Sequence, residues 1–160
     1  MDTAKENAIQ ESGVSATPRV GVYICRCGGN ISDVVDTDHV AEICRLIPGV
    51  AVSKVHTFMC SDPGQQTISD DIKQEKLDRV VVASCSPFLH ELTFRGAVVR
   101  SKMNPYLYEH VNIREQCSWA HKHDGNAAGG QIRRNFHSCG TAPHHQSPTM
   151  IGQTDFVQRP

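Results

Sequence analysis

Regular patterning in the chain begins at Arg19. Arg19-Val-Gly-Val-Tyr-Ile-Cys25 is a short run of β-branched and aromatic residues, which predicts one buried strand, and Cys27-Gly28-Gly29-Asn30 predicts a turn after it. Val40, Ile43, Cys44 and Ile47 then recur at the i, i+3, i+4, i+7 spacing of one helical face. Asp36 or Thr37 can cap that helix, and Pro48-Gly49 stops it. Val50 to Phe58 reads as a second strand. Ser61-Asp62-Pro63 starts a second helix, with Ile68 and Ile72 on one side of it. Arg79 to Ser84 is apolar enough to be a strand buried on both faces, and Ser86-Pro87 opens another helix. Pro105 to Val111 predicts a fourth strand, and Asn112 with Glu115 resembles a capping box for a last helix through Trp119.

This strand–helix alternation predicts an α/β domain over residues 19–124, built as a small parallel, Rossmann-like sheet with helices on its faces. Residues 1–18 are polar and aperiodic and read as a disordered arm. Residues 125–160 contain no lysine but five glycines, three prolines and three histidines, and read as an irregular or disordered tail.

Composition narrows the function classes. The chain has 160 residues, 39% of them hydrophobic and 21% charged, so it fits one domain with a modest core. A net charge of −1 excludes a strongly basic nucleic-acid footprint. No run of eighteen apolar residues occurs, and the first seventeen residues lack the apolar core of a secretory signal. A cytoplasmic chain is the expectation. Seven cysteines and nine histidines stand out against this background. In a reducing compartment thiols serve metals or redox chemistry more often than disulfides, and an odd count suits a disulfide framework poorly.

The predicted elements give the cysteines a common address. Cys25 ends the first strand, Cys27 lies in the following turn, Cys60 and Cys85 follow the second and third strands, and Cys117 falls in the last helix. The steps from Cys27 to Cys60, Cys60 to Cys85 and Cys85 to Cys117 are 33, 25 and 32 residues, each about one βαβ unit. A parallel sheet has the carboxyl ends of its strands along one edge, so these five thiols are expected to converge there. Helix starts at Ser61, Ser86 and Asn112 point their partial positive charge at the same edge and favour thiolate. Four thiolates suit zinc or an iron–sulfur cluster, and the spacing does not choose between them.

Other features take simpler readings. Cys44 lies on the apolar helix face and reads as core, and Cys139 as incidental. His137, Cys139, His144 and His145 match no zinc-module spacing. Gly28-Gly29 lacks the G-x-G-x-x-G spacing of a nucleotide loop. His56, His90 and His110 read as satisfied or solvated histidines, and Trp119 as a packing residue.

Six motifs occur in order: Cys25-Arg-Cys27-Gly28-Gly-Asn30-Ile31, Met59-Cys-Ser-Asp-Pro-Gly-Gln65, Arg79-Val-Val-Val-Ala-Ser-Cys-Ser-Pro87, His90-Glu91, Asn104-Pro-Tyr106 and Asn112-Ile-Arg-Glu-Gln-Cys-Ser-Trp119. Together they resemble the N-terminal domain of the A-type subunit of heterodisulfide reductase, its flavin and iron–sulfur subunit, over about Arg19 to Asp124. The resemblance implies a [4Fe-4S]-bearing electron-transfer domain whose motif cysteines map onto Cys25, Cys27, Cys60, Cys85 and Cys117. Four ligands from five candidates leave one spare, or a site more complicated than a simple cubane. Cys60, Cys85 and Cys117 are the firmer assignments, and Cys25 and Cys27 compete for the rest. The resemblance also implies other heterodisulfide-reductase-type subunits and a flavoprotein portion as partners. The family's FAD is not expected in this chain, which carries neither its glycine fingerprint nor ferredoxin-type cysteine runs. An alanine-rich helix would follow Asp124 in the family; the Gly/His/Pro-rich tail in its place suggests truncation by a shifted reading frame.

Three functions compete on the sequence. The leading one is an iron–sulfur electron-transfer domain with no catalytic residue of its own. The alternatives are a zinc-stabilised four-cysteine binding domain without a redox role, and a metal-free thiol–disulfide oxidoreductase using Cys25 and Cys27.

Overall fold

A computed structural model of the chain describes residues 17–122. Most of the polar arm, the tail with its shifted-frame expectation, and His137, Cys139, His144 and His145 lie outside the described residues. Strand β1 (Val20–Cys25) leads through a 3-10 turn at Cys27–Gly29 to helix α1 (Thr37–Arg45). Strand β2 (Val50–His56), helix α2 (Asp62–Gln74), strand β3 (Arg79–Ser84) and helix α3 (Pro87–Arg100) follow. A second 3-10 turn at Pro105–Leu107 precedes strand β4 (Tyr108–Asn112), and a π-helical turn at Arg114–Ser118 comes last.

The four strands form one sheet in the order β2-β1-β3-β4, with every neighbouring pair parallel. The α/β class with a parallel sheet therefore agrees with the sequence expectation. Alternation along the strands sorts side chains between two cores. Val20, Val22 and Ile24 of β1 join Val81, Ala83 and Val111 on the face that packs against α1 residues Val40, Ala41 and Cys44. Tyr23 and Cys25 join Val80, Val82 and Tyr108 on the other face, against Ile68 and Ile72 of α2 and Phe94 and Val98 of α3. Every residue of β1 is buried, as is β3 beyond Arg79, which is why both read as continuous apolar runs.

The element ends differ from the sequence expectation for local reasons. β2 stops at His56, whose Nδ1 accepts the Phe58 N–H at 3.1 Å, so the chain turns before Phe58. Pro105 has no N–H for a ladder and instead opens a 3-10 turn, where Asn104 Oδ1 accepts the Tyr106 N–H at 2.9 Å. β4 starts only at Tyr108. Asn112 Oδ1 accepts the Glu115 N–H at 3.0 Å, yet no α-helix follows. Ser118 N–H bonds to Ile113 O at 3.1 Å and Trp119 N–H to Arg114 O at 2.8 Å, both spanning five residues, which makes a single π turn. Ser86 opens α3 with no side-chain cap bond, and Pro87 beside it has no N–H to be capped.

Burial of ionisable core groups sets an alkaline limit on this fold. Cys44 is pushed up to about 12 by burial, and Tyr23 and Tyr108 are also raised, burial being the largest cause. An unfolded chain releases the Cys44 proton near the ordinary thiol value of 9.0, while the folded chain retains it. The unfolded state then binds fewer protons, so stability falls as pH rises between those values. Urea titrations of the reduced protein are expected to show lower stability at pH 10.5 than at pH 8. Cys44→Ala is expected to flatten that decline, and an unchanged slope would contradict it.

Candidate metal centre

The strand order reverses direction between β1 and β3, since β2 lies to one side of β1 and β3 to the other. In open α/β sheets the carboxyl ends of the two strands at such a point border the ligand-binding crevice. Cys25 is the last residue of β1, and Cys85 is the first residue after β3. Cys60 follows β2 and directly precedes the Ser61 cap of α2. Cys117 lies in the π turn after β4, with no exposed surface.

The turn after β1 is left-handed at three successive residues: Cys27 (φ 52°), Gly28 (φ 58°) and Gly29 (φ 101°). A Cβ at Gly28 would stand 2.7 Å from Phe58 Cζ, so the glycine serves both the backbone shape and the ring's approach. This curl brings the Cys27 N–H to Cys25 Sγ at 3.3 Å. The Met59 N–H points at the same sulfur from the β2–α2 connection, at 3.4 Å, and Thr57 O lies 3.7 Å from it. The β2–α2 connection is held in turn by Ser61, whose hydroxyl donates to Phe58 O at 2.6 Å and accepts the Gly64 N–H at 3.4 Å. Gln65 Nε2 donates to Cys60 O at 2.9 Å. A Cβ at Gly64 would collide with the Met59 carbonyl, which shows how closely α2 is seated on this connection.

Cys85 is anchored through its backbone. His110 Nε2 lies 2.8 Å from Cys85 O and 2.9 Å from Ser84 Oγ, while Tyr108 O–H lies 2.6 Å from His110 Nδ1. A neutral imidazole with its proton on Nε2 satisfies all of these contacts: Nε2–H donates to the Cys85 carbonyl and Nδ1 accepts from tyrosine. Burial lowers the pKa of His110, which agrees with that neutral form. On the opposite side, Arg114 Nη1 donates to Cys27 Sγ at 3.2 Å.

The sulfurs influence one another. Burial pushes Cys25 up to about 11; the nearby Cys27 and Cys60 sulfurs add to the rise, and its two N–H donors oppose it. Cys85 is raised by burial, against the Arg114 charge and with a further push from Cys27. Cys25 thus lies within electrostatic reach of Cys27 and Cys60, and Cys85 within reach of Cys27. Cys117 belongs to the α1-side core, against which Cys27 also packs. Cys44 lies in that same core, on the buried face of α1. His56 bonds the turn after β2, and His110 the backbone of Cys85.

Among the described residues, no group of three His, Cys, Asp or Glu side chains is placed to hold a metal ion. A single tetrahedral zinc takes four ligands about 2.3 Å from one centre, whereas an iron–sulfur cluster divides its thiolates among several irons. The donor chemistry fits such a cluster: the sulfurs are soft, Cys25 receives two N–H groups, and Cys27 receives a guanidinium.

Arg114 and the His110–Tyr108 pair escape a reading of the sequence. Their contacts to Cys27 and Cys85 cross 87 and 25 residues of chain, and no periodicity marks them. The one available signal is alternation, which places Tyr108 and His110 on the same side of β4.

Two substitutions test this scaffold. His110→Ala leaves the Cys85 carbonyl and Tyr108 hydroxyl without their partner and is expected to cost about 1–3 kcal/mol in a urea titration. A loss below a few tenths would contradict the anchoring role. Gly28→Ala is expected to destabilise by at least about 1 kcal/mol, because alanine disfavours the left-handed region and its methyl group meets Phe58. An unchanged midpoint would contradict that.

No protein-family model matches the chain. Curated relatives do. The chain is 52% identical over 107 residues to an iron-sulfur subunit of the CoB–CoM heterodisulfide reductase of Methanopyrus kandleri, a match that covers 67% of this chain and 16% of that protein. It is 50% identical over 110 residues to the corresponding A-type subunit of the ferredoxin:CoB-CoM heterodisulfide reductase of Methanosarcina mazei, covering 69% and 14%. It is 48% identical over 124 residues to that of the H(2):CoB-CoM heterodisulfide,ferredoxin reductase of Methanothermobacter thermautotrophicus, covering 78% and 18%. The chain therefore spans less than a fifth of the length of these relatives. Over that span, it belongs to the family of A-type iron–sulfur subunits of heterodisulfide reductase.

Proposed function

We propose that the chain is an iron–sulfur electron-transfer domain, with its cysteines gathered at the carboxyl edge of a Rossmann-like sheet. Its four [4Fe-4S] ligands come from Cys25, Cys27, Cys60, Cys85 and Cys117. The observation that carries this reading is the placement of Cys25 at the end of β1, Cys60 after β2 and Cys85 after β3 in one parallel sheet, with the Cys27 N–H turned back to the Cys25 sulfur. The family of the relatives, named for an iron-sulfur subunit, supports the same chemistry. When bound, such a cluster takes up and releases single electrons.

The chain's own residues prepare the site for that role. Backbone N–H groups of Cys27 and Met59 face the Cys25 sulfur and favour negative charge on it. Arg114 does the same at Cys27. Burial of Cys25, Cys85 and Cys117 keeps water from the sulfurs, while Cys27 and Cys60 remain half-buried at the edge. Because burial favours the protonated thiols, ligand binding must release protons, and cluster uptake should weaken as pH falls. The natural setting in this proposal is cytoplasmic, beside other heterodisulfide-reductase-type subunits and a flavoprotein portion. No FAD site is assigned to this chain. Among the described residues, no helix is long and apolar enough to cross a membrane.

The oxidoreductase alternative would draw on the guanidinium at Cys27 but leaves Cys60, Cys85 and Cys117 without a role. A thiol–disulfide oxidoreductase needs an exposed thiol of lowered pKa, whereas Cys25 is buried and pushed up to about 11. Protein purified without oxygen is expected to contain about four iron and four sulfide per chain, with broad visible absorption. Cys60→Ser or Cys85→Ser should lower both contents, and Cys44→Ala should leave them unchanged. A colourless protein with one zinc per chain would overturn the proposal.

A further inference from the structure

Arg114 is held on three sides. Its Nε and Nη2 donate to Glu115 Oε1 at 3.1 and 2.7 Å, and its guanidinium carbon lies 4.8 Å from the centre of the Trp119 ring. That leaves Nη1, which donates to Cys27 Sγ at 3.2 Å. Only 16% of the arginine side chain is exposed. The π turn makes this arrangement possible. Arg114 and Trp119 are five residues apart and joined by the 2.8 Å backbone bond, whereas an α-helix would turn residues at that spacing toward different sides. Ser118 fastens the turn to the first loop, its hydroxyl donating to Asn30 O at 2.9 Å, and Asn30 Nδ2 donates to Cys27 O at 3.0 Å. The segments that carry Arg114 and Cys27 are therefore tied together at one further point, through Ser118 and Asn30.

We infer that Arg114 is the positioning residue of Cys27: its guanidinium fixes the sulfur's orientation and supplies the positive charge that stabilises electron density on it. Glu115 Oε2 is buried and has no hydrogen-bond partner among the described residues. The guanidinium therefore bridges a partly buried carboxylate and the Cys27 sulfur. A lysine could keep the charge but not the fork on Glu115 or the stack on Trp119. The redox consequence rests on the cluster reading, while the contact to sulfur does not. A positive charge beside an anionic centre favours its reduced, more negative form.

The test compares Arg114→Gln and Arg114→Lys with the unaltered full chain. In protein with equal iron and sulfide content, Arg114→Gln is expected to shift the reduction equilibrium about tenfold toward the oxidised form, which for one electron is about 59 mV more negative. Arg114→Lys should fall between the two. Equal potentials in all three proteins would overturn the inference while leaving the cluster reading intact. The second arm uses metal-free, reduced protein, with iodoacetamide as probe and the modified cysteines identified by peptide mass. Alkylation of Cys27 relative to Cys60 should slow severalfold in Arg114→Gln and less in Arg114→Lys. An unchanged ratio would overturn the inference whether or not the chain binds iron. If the unaltered chain takes up no iron, the cluster reading fails and this second arm alone decides the role of Arg114.

Discussion

Parallel pairing of β1 with both β2 and β3 is the constraint on which the rest of the molecule depends. Val20 lies opposite Val50 on one side and Arg79 on the other, and Cys25 lies opposite His56. With all strands running in the same direction, the connections leaving β1, β2, β3 and β4 emerge at one edge. Both faces of β1 must then be covered, which requires α1 on one side and α2 with α3 on the other. The proposed site, with residues 25, 27, 60, 85 and 114, depends on this direction rule. None of their local sequences specifies it alone.

The edge combines opposing electrostatic demands. Burial favours neutral thiols, and the raised values at Cys25 and Cys85 express that. Backbone N–H groups at Cys25 and the guanidinium at Cys27 pull the other way. At Cys25 and Cys85 burial wins and favours the protonated thiol, so soft cations that bind there displace those protons. Rigid local geometry keeps these donors aimed. The left-handed turn at Cys27–Gly29 directs one N–H back to Cys25, and the close seat of Gly64 on Met59 directs the other.

Much of this architecture was legible in the sequence because burial imposes patterns. The runs Val20–Cys25 and Arg79–Ser84 are rich in β-branched residues because both their faces are covered, and α1 shows its apolar stripe because only one face is. The ends of elements were less legible. Pro105 inside an apparent strand signalled its own exclusion from the ladder, while the five-residue bonding after Ile113 has no sequence signature in the capping residues. The contacts of Arg114 and His110 were hidden for a different reason. They join single polar residues across the sheet, and only the register between β3 and β4, with Ser84 opposite Asn112, brings them into place.

The central claim is that the carboxyl edge of the sheet gathers cysteine thiolates around one iron–sulfur cluster. Diffraction data collected on either side of the iron absorption edge, from crystals grown without oxygen, test it most directly. The account predicts one compact iron peak beyond the ends of β1 and β3, with sulfurs drawn from Cys25, Cys27, Cys60, Cys85 and Cys117 around it. Iron located away from that edge, or a zinc signal there in its place, would contradict it.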